Sequence, residues 1–131
     1  MDPTPDVTDA ELSVLQALWD QGPATIRRLT DTLYPEGTAG QYGTVQKLLE
    51  RLESKGCVKR DRRPWPHVFA AAIDRGTLIG WRLRTMAEKL CGGSMTPLLL
   101  HLLQAEKFGP EERKELRAFL EQLKNGSRPD D

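Results

Sequence analysis

Three side chains in the stretch 42–63, YGTVQKLLERLESKGCVKRDRR, carry chemistry suited to reading another molecule rather than transforming it. Gln46 and Lys47 reach base edges in a duplex groove, the amide pairing with adenine and the ammonium with the guanine acceptors, and Thr44 adds a short hydroxyl beside them. Lys59, Arg60, Arg62 and Arg63 follow within a few residues and offer charge to phosphate. Between Gln41 and Phe69 there are seven cations (Lys47, Arg51, Lys55, Lys59, Arg60, Arg62, Arg63) against three anions (Glu50, Glu53, Asp61). The whole chain hides this excess, because Lys plus Arg and Asp plus Glu each number 19. An ordinary solvated face would also carry such a patch, so the charge alone does not decide.

Bond-making chemistry has no support. His67 and His101 lack a neighbouring Ser, Cys or carboxylate pattern, and the chain has no HExxH, GxSxG or phosphate-binding loop. Cys57 and Cys91 stand far apart without CxxC or Cys/His ligand spacing, so buried thiols are expected rather than a disulfide or zinc. No catalytic residue, metal or cofactor is expected. Each histidine reads as a partly buried residue.

The elements that must hold these residues follow from periodicity. At about 100° per residue, Val45, Leu48, Leu49 and Leu52 form one stripe, while Gly43, Thr44, Gln46, Lys47, Glu50 and Arg51 occupy the opposite side. A plain amphipathic surface helix shows the same pattern. Here, however, Gly56 sits where a C-cap belongs, and Val58 opens a strand that runs into the cations. Pro64, Trp65 and Pro66 force a tight loop before Val68 and Phe69 return. Helix, strand, basic tip, strand is the outline of a winged-helix reader of DNA. Upstream, Thr8 and Glu11 make a T-x-x-E capping box for a helix over about 9–20, with Leu12, Leu15, Leu18 and Trp19 inward. Thr25 caps a second helix carrying Ile26, Leu29 and Leu33, ended near Tyr34 by Pro35.

At 131 residues the chain has room for one domain, or one small domain with an appended oligomerisation segment. No run approaches the roughly 18 apolar residues of a membrane span, and the acidic start MDPTPDVTDAEL does not read as a signal peptide, so a cytoplasmic location is expected.

After Asp74 the pattern is helical. From about Arg75 to Leu90, Ile79, Leu83, Met86, Ala87 and Leu90 share one face while Leu78 and Trp81 occupy another, so this helix needs two neighbours. Gly92 and Gly93 break the chain. A short helix starting at Ser94 or Thr96 contains Leu98, Leu99, Leu100, His101, Leu102 and Leu103, apolar nearly all round. The last helix starts at Pro110 with Glu111 and Glu112 in its first turn, carries Leu116, Phe119, Leu120 and Leu123, and ends at Asn125 and Gly126. The tail SRPDD is expected to be disordered. A second copy of the same segment is the simplest partner for these stripes, which predicts a homodimer; a monomeric all-α extension folded back on the first domain is the alternative.

The segments TDAELSVLQALWDQGPATIRRLTDTL, YGTVQKLLERLESKGCVKRDRR, GGSM and EERKELRAFLEQL, in this order from Thr8 to Leu123, resemble the penicillinase repressor family, the BlaI/MecI/CopY group of bacterial transcriptional repressors. The resemblance implies a winged-helix domain that binds a palindromic operator, a helical dimerisation domain, and repression. By position, Thr44, Gln46, Lys47 and Arg51 match the family's recognition-helix surface, and Arg60, Arg62 and Arg63 its wing. Members controlling β-lactam resistance share an Asn-Phe bond in the fifth helix, cut when a membrane-bound sensor protease is activated. His101 and Leu102 stand there in this chain, which argues against cleavage by such a partner; an upstream sensor protein of another kind stays open. Copper-responsive members carry a cysteine cluster near the C-terminus, and this tail has none.

The expected fold is mainly α with a small β-hairpin: a winged helix-turn-helix domain over 1–73, a helical dimerisation domain over 74–125, and a tail over 126–131. The DNA-facing candidates are Gln41, Tyr42, Gly43, Thr44, Gln46, Lys47 and Arg51 on the helix, with Arg60, Arg62, Arg63 and Trp65 on the hairpin. The dimerisation candidates are Leu78, Trp81, Leu98, Leu99, Leu102, Leu103, Leu116, Phe119, Leu120 and Leu123. Double-stranded operator DNA and a second copy are the expected partners, with no membrane. A winged-helix module that binds only another protein is the competing reading.

Overall fold

The computed structural model describes residues 6–37, 39–105 and 107–125, and contains six helices and a two-stranded antiparallel hairpin among them. Two compact units divide the chain, Met1–Met86 and Ala87–Asp131. The tail beyond residue 125, expected to be disordered, lies outside the described residues.

Helix α1 (Asp9–Gln21) starts as its capping box requires. Thr8 Oγ1 accepts from Glu11 N at 3.2 Å, and Thr8 N donates to Glu11 Oε1 at 2.8 Å, so two of the helix's otherwise unpaired donors are satisfied reciprocally. Helix α2 (Ile26–Leu33) is capped by the Thr25 hydroxyl, which accepts from Arg28 N at 3.2 Å. Helix α3 (Ala39–Ser54) starts earlier than the apolar stripe alone indicates and presents Val45, Leu48, Leu49 and Leu52 inward, all buried. It stops in a Schellman motif. Gly56 takes φ +77°, where a Cβ would be strained, while Gly56 N bonds Glu53 O at 3.0 Å and Cys57 N bonds Leu52 O at 2.8 Å.

That turn delivers the chain directly into β1 (Val58–Asp61), which pairs with β2 (Val68–Ala71) in the register Val58 with Ala71 and Asp61 with Val68. The return strand is pinned a second time. Ala24, in the α1–α2 turn, exchanges both backbone bonds with Phe69 at 2.9 and 2.8 Å, and the fully buried Phe69 ring sits in a core with Val14, Leu15, Leu29 and Leu49. Truncating one of these buried leucines to Ala would cost about 2–5 kcal/mol.

Helix α4 (Arg75–Cys91) begins inside this first unit. Leu78 is only 5% exposed and belongs to the same core, with Trp81 packed against it, and Trp19 Nε1 donates to Ile73 O at 2.9 Å just ahead of the helix. Both residues were expected at a dimer interface, and within the single chain Leu78 is part of the N-terminal core while Trp81, partly buried, packs on it. The reason is geometric: of the two apolar faces on α4, the one with Leu78 and Trp81 completes the winged-helix unit. The first compact unit runs to Met86.

In the second unit, Gly92 and Gly93 both take positive φ and end α4, with Gly93 N bonded to Ala87 O at 2.9 Å. Helix α5 (Thr96–Ala105) and helix α6 (Pro110–Lys124) follow. Among the described residues from 87 onward, only Ala87 is buried. Leu99, Leu102, Phe119, Leu120 and Leu123 are all exposed. No described helix is long and apolar enough to cross a membrane.

Candidate nucleic-acid interface

Burial of the Val45–Leu52 stripe turns the other side of α3 to solvent. Thr44, Gln46, Lys47, Glu50 and Arg51 are exposed there, with Gly43 half-buried at the helix's N-terminal half. The side chains of Gln46, Lys47, Glu50 and Arg51 make no hydrogen bond or ion pair among the described residues. Glu50, which could have neutralised Lys47 or Arg51, leaves both unpaired. Thr44 Oγ1 donates back to Gly40 O at 3.3 Å, which leaves its oxygen lone pairs outward. The face thus offers donors that have no partner among the described residues.

Gln41 lies elsewhere. Its Oε1 would stand 2.1 Å from a Cβ added at Gly37, so the amide is packed against the α2–α3 turn, and only a glycine at 37 admits it. Tyr42 is turned the other way, into an open cleft of about 270 Å³ between the start of α2, the face of α3 and the hairpin. Thr25, Arg27, Gln46, Arg60, Trp65 and His67 line the same cleft. Sequence reasoning missed Arg27. Its signal was its position two residues after the Thr25 cap, where a cation stands at a helix N-terminus and so gains nothing from the helix dipole.

The hairpin cations differ sharply in freedom. Arg60 is held: its side chain is 20% exposed, its Nη2 donates to Glu53 Oε1 at 3.0 Å, and its guanidinium lies 4.8 Å from the centre of the Phe69 ring. Arg62 is looser, 63% exposed with Nη2 3.6 Å from Glu53 Oε2. Arg63, 91% exposed, forks onto Asp61 with Nε and Nη2 each 3.0 Å from a carboxylate oxygen. That fork, with a further bond from Arg63 N, lowers the Asp61 carboxyl to about 2 and raises the Arg63 guanidinium. Lys59 is exposed and has no side-chain partner among the described residues. At the tip, Trp65 is 85% exposed and meets the His67 ring edge-on at 5.1 Å. The described residues contain no group of three or more His, Cys, Asp and Glu placed to hold a metal.

A three-helix core, a helix with an unpaired polar face and a cationic hairpin beside it define a winged-helix protein of the DNA-binding class. A profile of the penicillinase repressor family matches residues 7–122. The penicillinase repressor of Bacillus licheniformis is 26% identical over 121 residues, covering 92% of this chain and 94% of the relative. The transcriptional regulator BlaI of Mycobacterium tuberculosis (strain H37Rv) is 30% identical over 125 residues, covering 92% and 88%. An uncharacterized 16.5 kDa protein of Latilactobacillus sakei is 24% identical over 117 residues, covering 89% and 80%. The chain belongs to the penicillinase repressor family, a family of transcriptional repressors rather than of enzymes.

Proposed function

We propose that this protein represses transcription by binding a palindromic operator as a homodimer, with α3 in the major groove and the hairpin on the flanking backbone. The observation that carries the reading is the exposed face of α3, where Gln46, Lys47 and Arg51 have no side-chain partner among the described residues and stand beside a cationic strand. Donors without partners are the ones a base edge can take at least cost. Thr44, Gln46 and Lys47 are assigned to bases; Arg51, Lys59, Arg62 and Arg63 are assigned to phosphates. Trp65, exposed on a Pro-bounded tip, is assigned to the sugar-phosphate backbone or a minor-groove wall.

Dimerisation is supported by the second unit. Leu99, Leu100, Leu102 and Leu103 on α5 and Phe119, Leu120 and Leu123 on α6 are exposed, and an apolar surface of that kind is what a self-complementary interface covers. The assignment keeps Leu98, Leu99, Leu102, Leu103, Leu116, Phe119, Leu120 and Leu123, and leaves out Leu78 and Trp81. Two readers on a two-fold hub match half-sites a helical turn, or a multiple, apart.

The test is selection of duplexes from a random-sequence pool, followed by fluorescence anisotropy of the selected and a scrambled duplex at two salt concentrations. Enrichment of an inverted repeat bound by two protomers supports the reading. Failure to enrich any sequence overturns it in favour of a protein-binding module.

A further inference from the structure

We propose that Glu53 is a specificity-determining positioning residue, an internal anion that holds the hairpin's arginines away from non-operator phosphate; this rests on the DNA-binding reading above. Glu53 closes the last full turn of α3, two residues before the Schellman turn. Its two oxygens are divided between the two arginines of β1 and its continuation, Oε1 to Arg60 at 3.0 Å and Oε2 towards Arg62 at 3.6 Å. One carboxylate therefore stands where a backbone phosphate would stand, with the charge and bidentate oxygens that guanidinium groups take from phosphate.

The two arms do different things. Arg60 is fixed from three sides, by Glu53, by the Phe69 ring and by the strand itself, so it ties the hairpin's position to the end of the recognition helix. Arg62 is exposed and only loosely paired, so it is the arm that phosphate can win. On random DNA nothing but phosphate attraction holds the protein, and each arginine must be taken from Glu53 first. On an operator, the bases contacted by α3 fix its depth, and the Arg60 tie then sets where the hairpin meets the backbone. Glu53 thus weakens non-specific binding more than specific binding.

The experiment compares wild type, Glu53→Gln, and Glu53→Gln with Arg62→Gln on the selected and scrambled duplexes across a salt series, with a thermal melt of each. Glu53→Gln should bind scrambled DNA tighter with a salt slope steeper by about one. The preference for the selected duplex should fall by about fivefold, the low end of what one base contact supplies. Adding Arg62→Gln should return the slope to its wild-type value. An unchanged preference and slope overturn the inference while leaving the DNA-binding reading intact. A parallel loss on both duplexes with a lowered melting temperature also overturns it, as a purely structural role. A wild type that does not prefer the selected duplex overturns both.

Discussion

Lys55 Nζ stands 2.6 Å from Glu11 Oε1, joining the turn after α3 to the first turn of α1 through a carboxylate with no solvent exposure. Lys55 also donates to Asp6 O, and Arg82 Nη2 donates to Val7 O at 2.6 Å, so the segment before α1 is gripped from the turn after α3 and from α4. Glu11 Oε2 is buried without a partner among the described residues, which makes the pair sensitive to loss of the ammonium. Lys55→Met should destabilise the unit by about 2–4 kcal/mol in urea unfolding, the range for breaking a buried pair, reduced because Lys55 is partly exposed. A double variant, Lys55→Met with Glu11→Leu, should recover part of that loss, because no buried charge remains. A double variant less stable than Lys55→Met would show that Glu11 matters chiefly as a cap.

The same pair sets an acid limit. Burial pushes the Glu11 carboxyl upward, but the Lys55 ammonium and the Thr8 backbone and hydroxyl donors outweigh it and leave it below its usual 4.5. A carboxyl lowered by folding contributes stability that is complete above its usual value and is lost as pH falls through the folded one. Melting temperature should therefore be flat from pH 7 to about 5 and drop below about 4.5. In Lys55→Met this acid drop should shrink, because without the ammonium only the Thr8 donors oppose burial and the folded carboxyl no longer titrates as far below the unfolded one. An identical acid limb in both proteins would remove Glu11 as its source. Asp61, lowered to about 2, should keep Arg63 paired across the whole range.

Much of this architecture was legible because local signals agreed. The Thr8–Glu11 box, the Val45–Leu52 stripe and the Pro110 start each name a helix by short-range chemistry, and the structure places α1, α3 and α6 on them. What sequence could not supply was pairing at a distance. Arg60 and Arg63 looked equally available for phosphate, yet one is stacked on Phe69 and clamped by Glu53 while the other forks onto Asp61. Leu78 and Trp81 were legible as an apolar face, but periodicity cannot say which neighbour covers a face. Gln41 was read as a DNA-facing candidate, and its packing beside Gly37 had no local signal.

Gly43 gives a test of how closely α3 approaches DNA. A Cβ there meets nothing within 4 Å, so Gly43→Ala is free of clash in the isolated protein. Alanine in a helix interior is favoured over glycine by about 0.5–1 kcal/mol, and the melting temperature should rise accordingly. If the backbone at Gly43 lies against the groove, the same methyl should weaken operator binding while stability increases. A variant that is both more stable and equally tight would place the N-terminal turns of α3 away from the duplex.

The dimer assignment separates two kinds of leucine. Leu99 is exposed on α5, whereas Leu78 is buried in the winged-helix core, although both fall in the half of the chain after Asp74. Leu99→Asp should leave the N-terminal unit's melting unchanged and convert a sedimenting dimer to monomers, because a charge placed in an apolar interface must be desolvated without a partner. Operator affinity should fall with it, since each protomer then binds one half-site and loses the effective concentration supplied by the other. Leu78→Ala should do the reverse, lowering stability by about 2–5 kcal/mol while the dimer persists at temperatures below the melt. A Leu99→Asp protein that still sediments as a dimer would move the interface off α5, and the exposed apolar residues of α6, Phe119, Leu120 and Leu123, would be the next surface to charge.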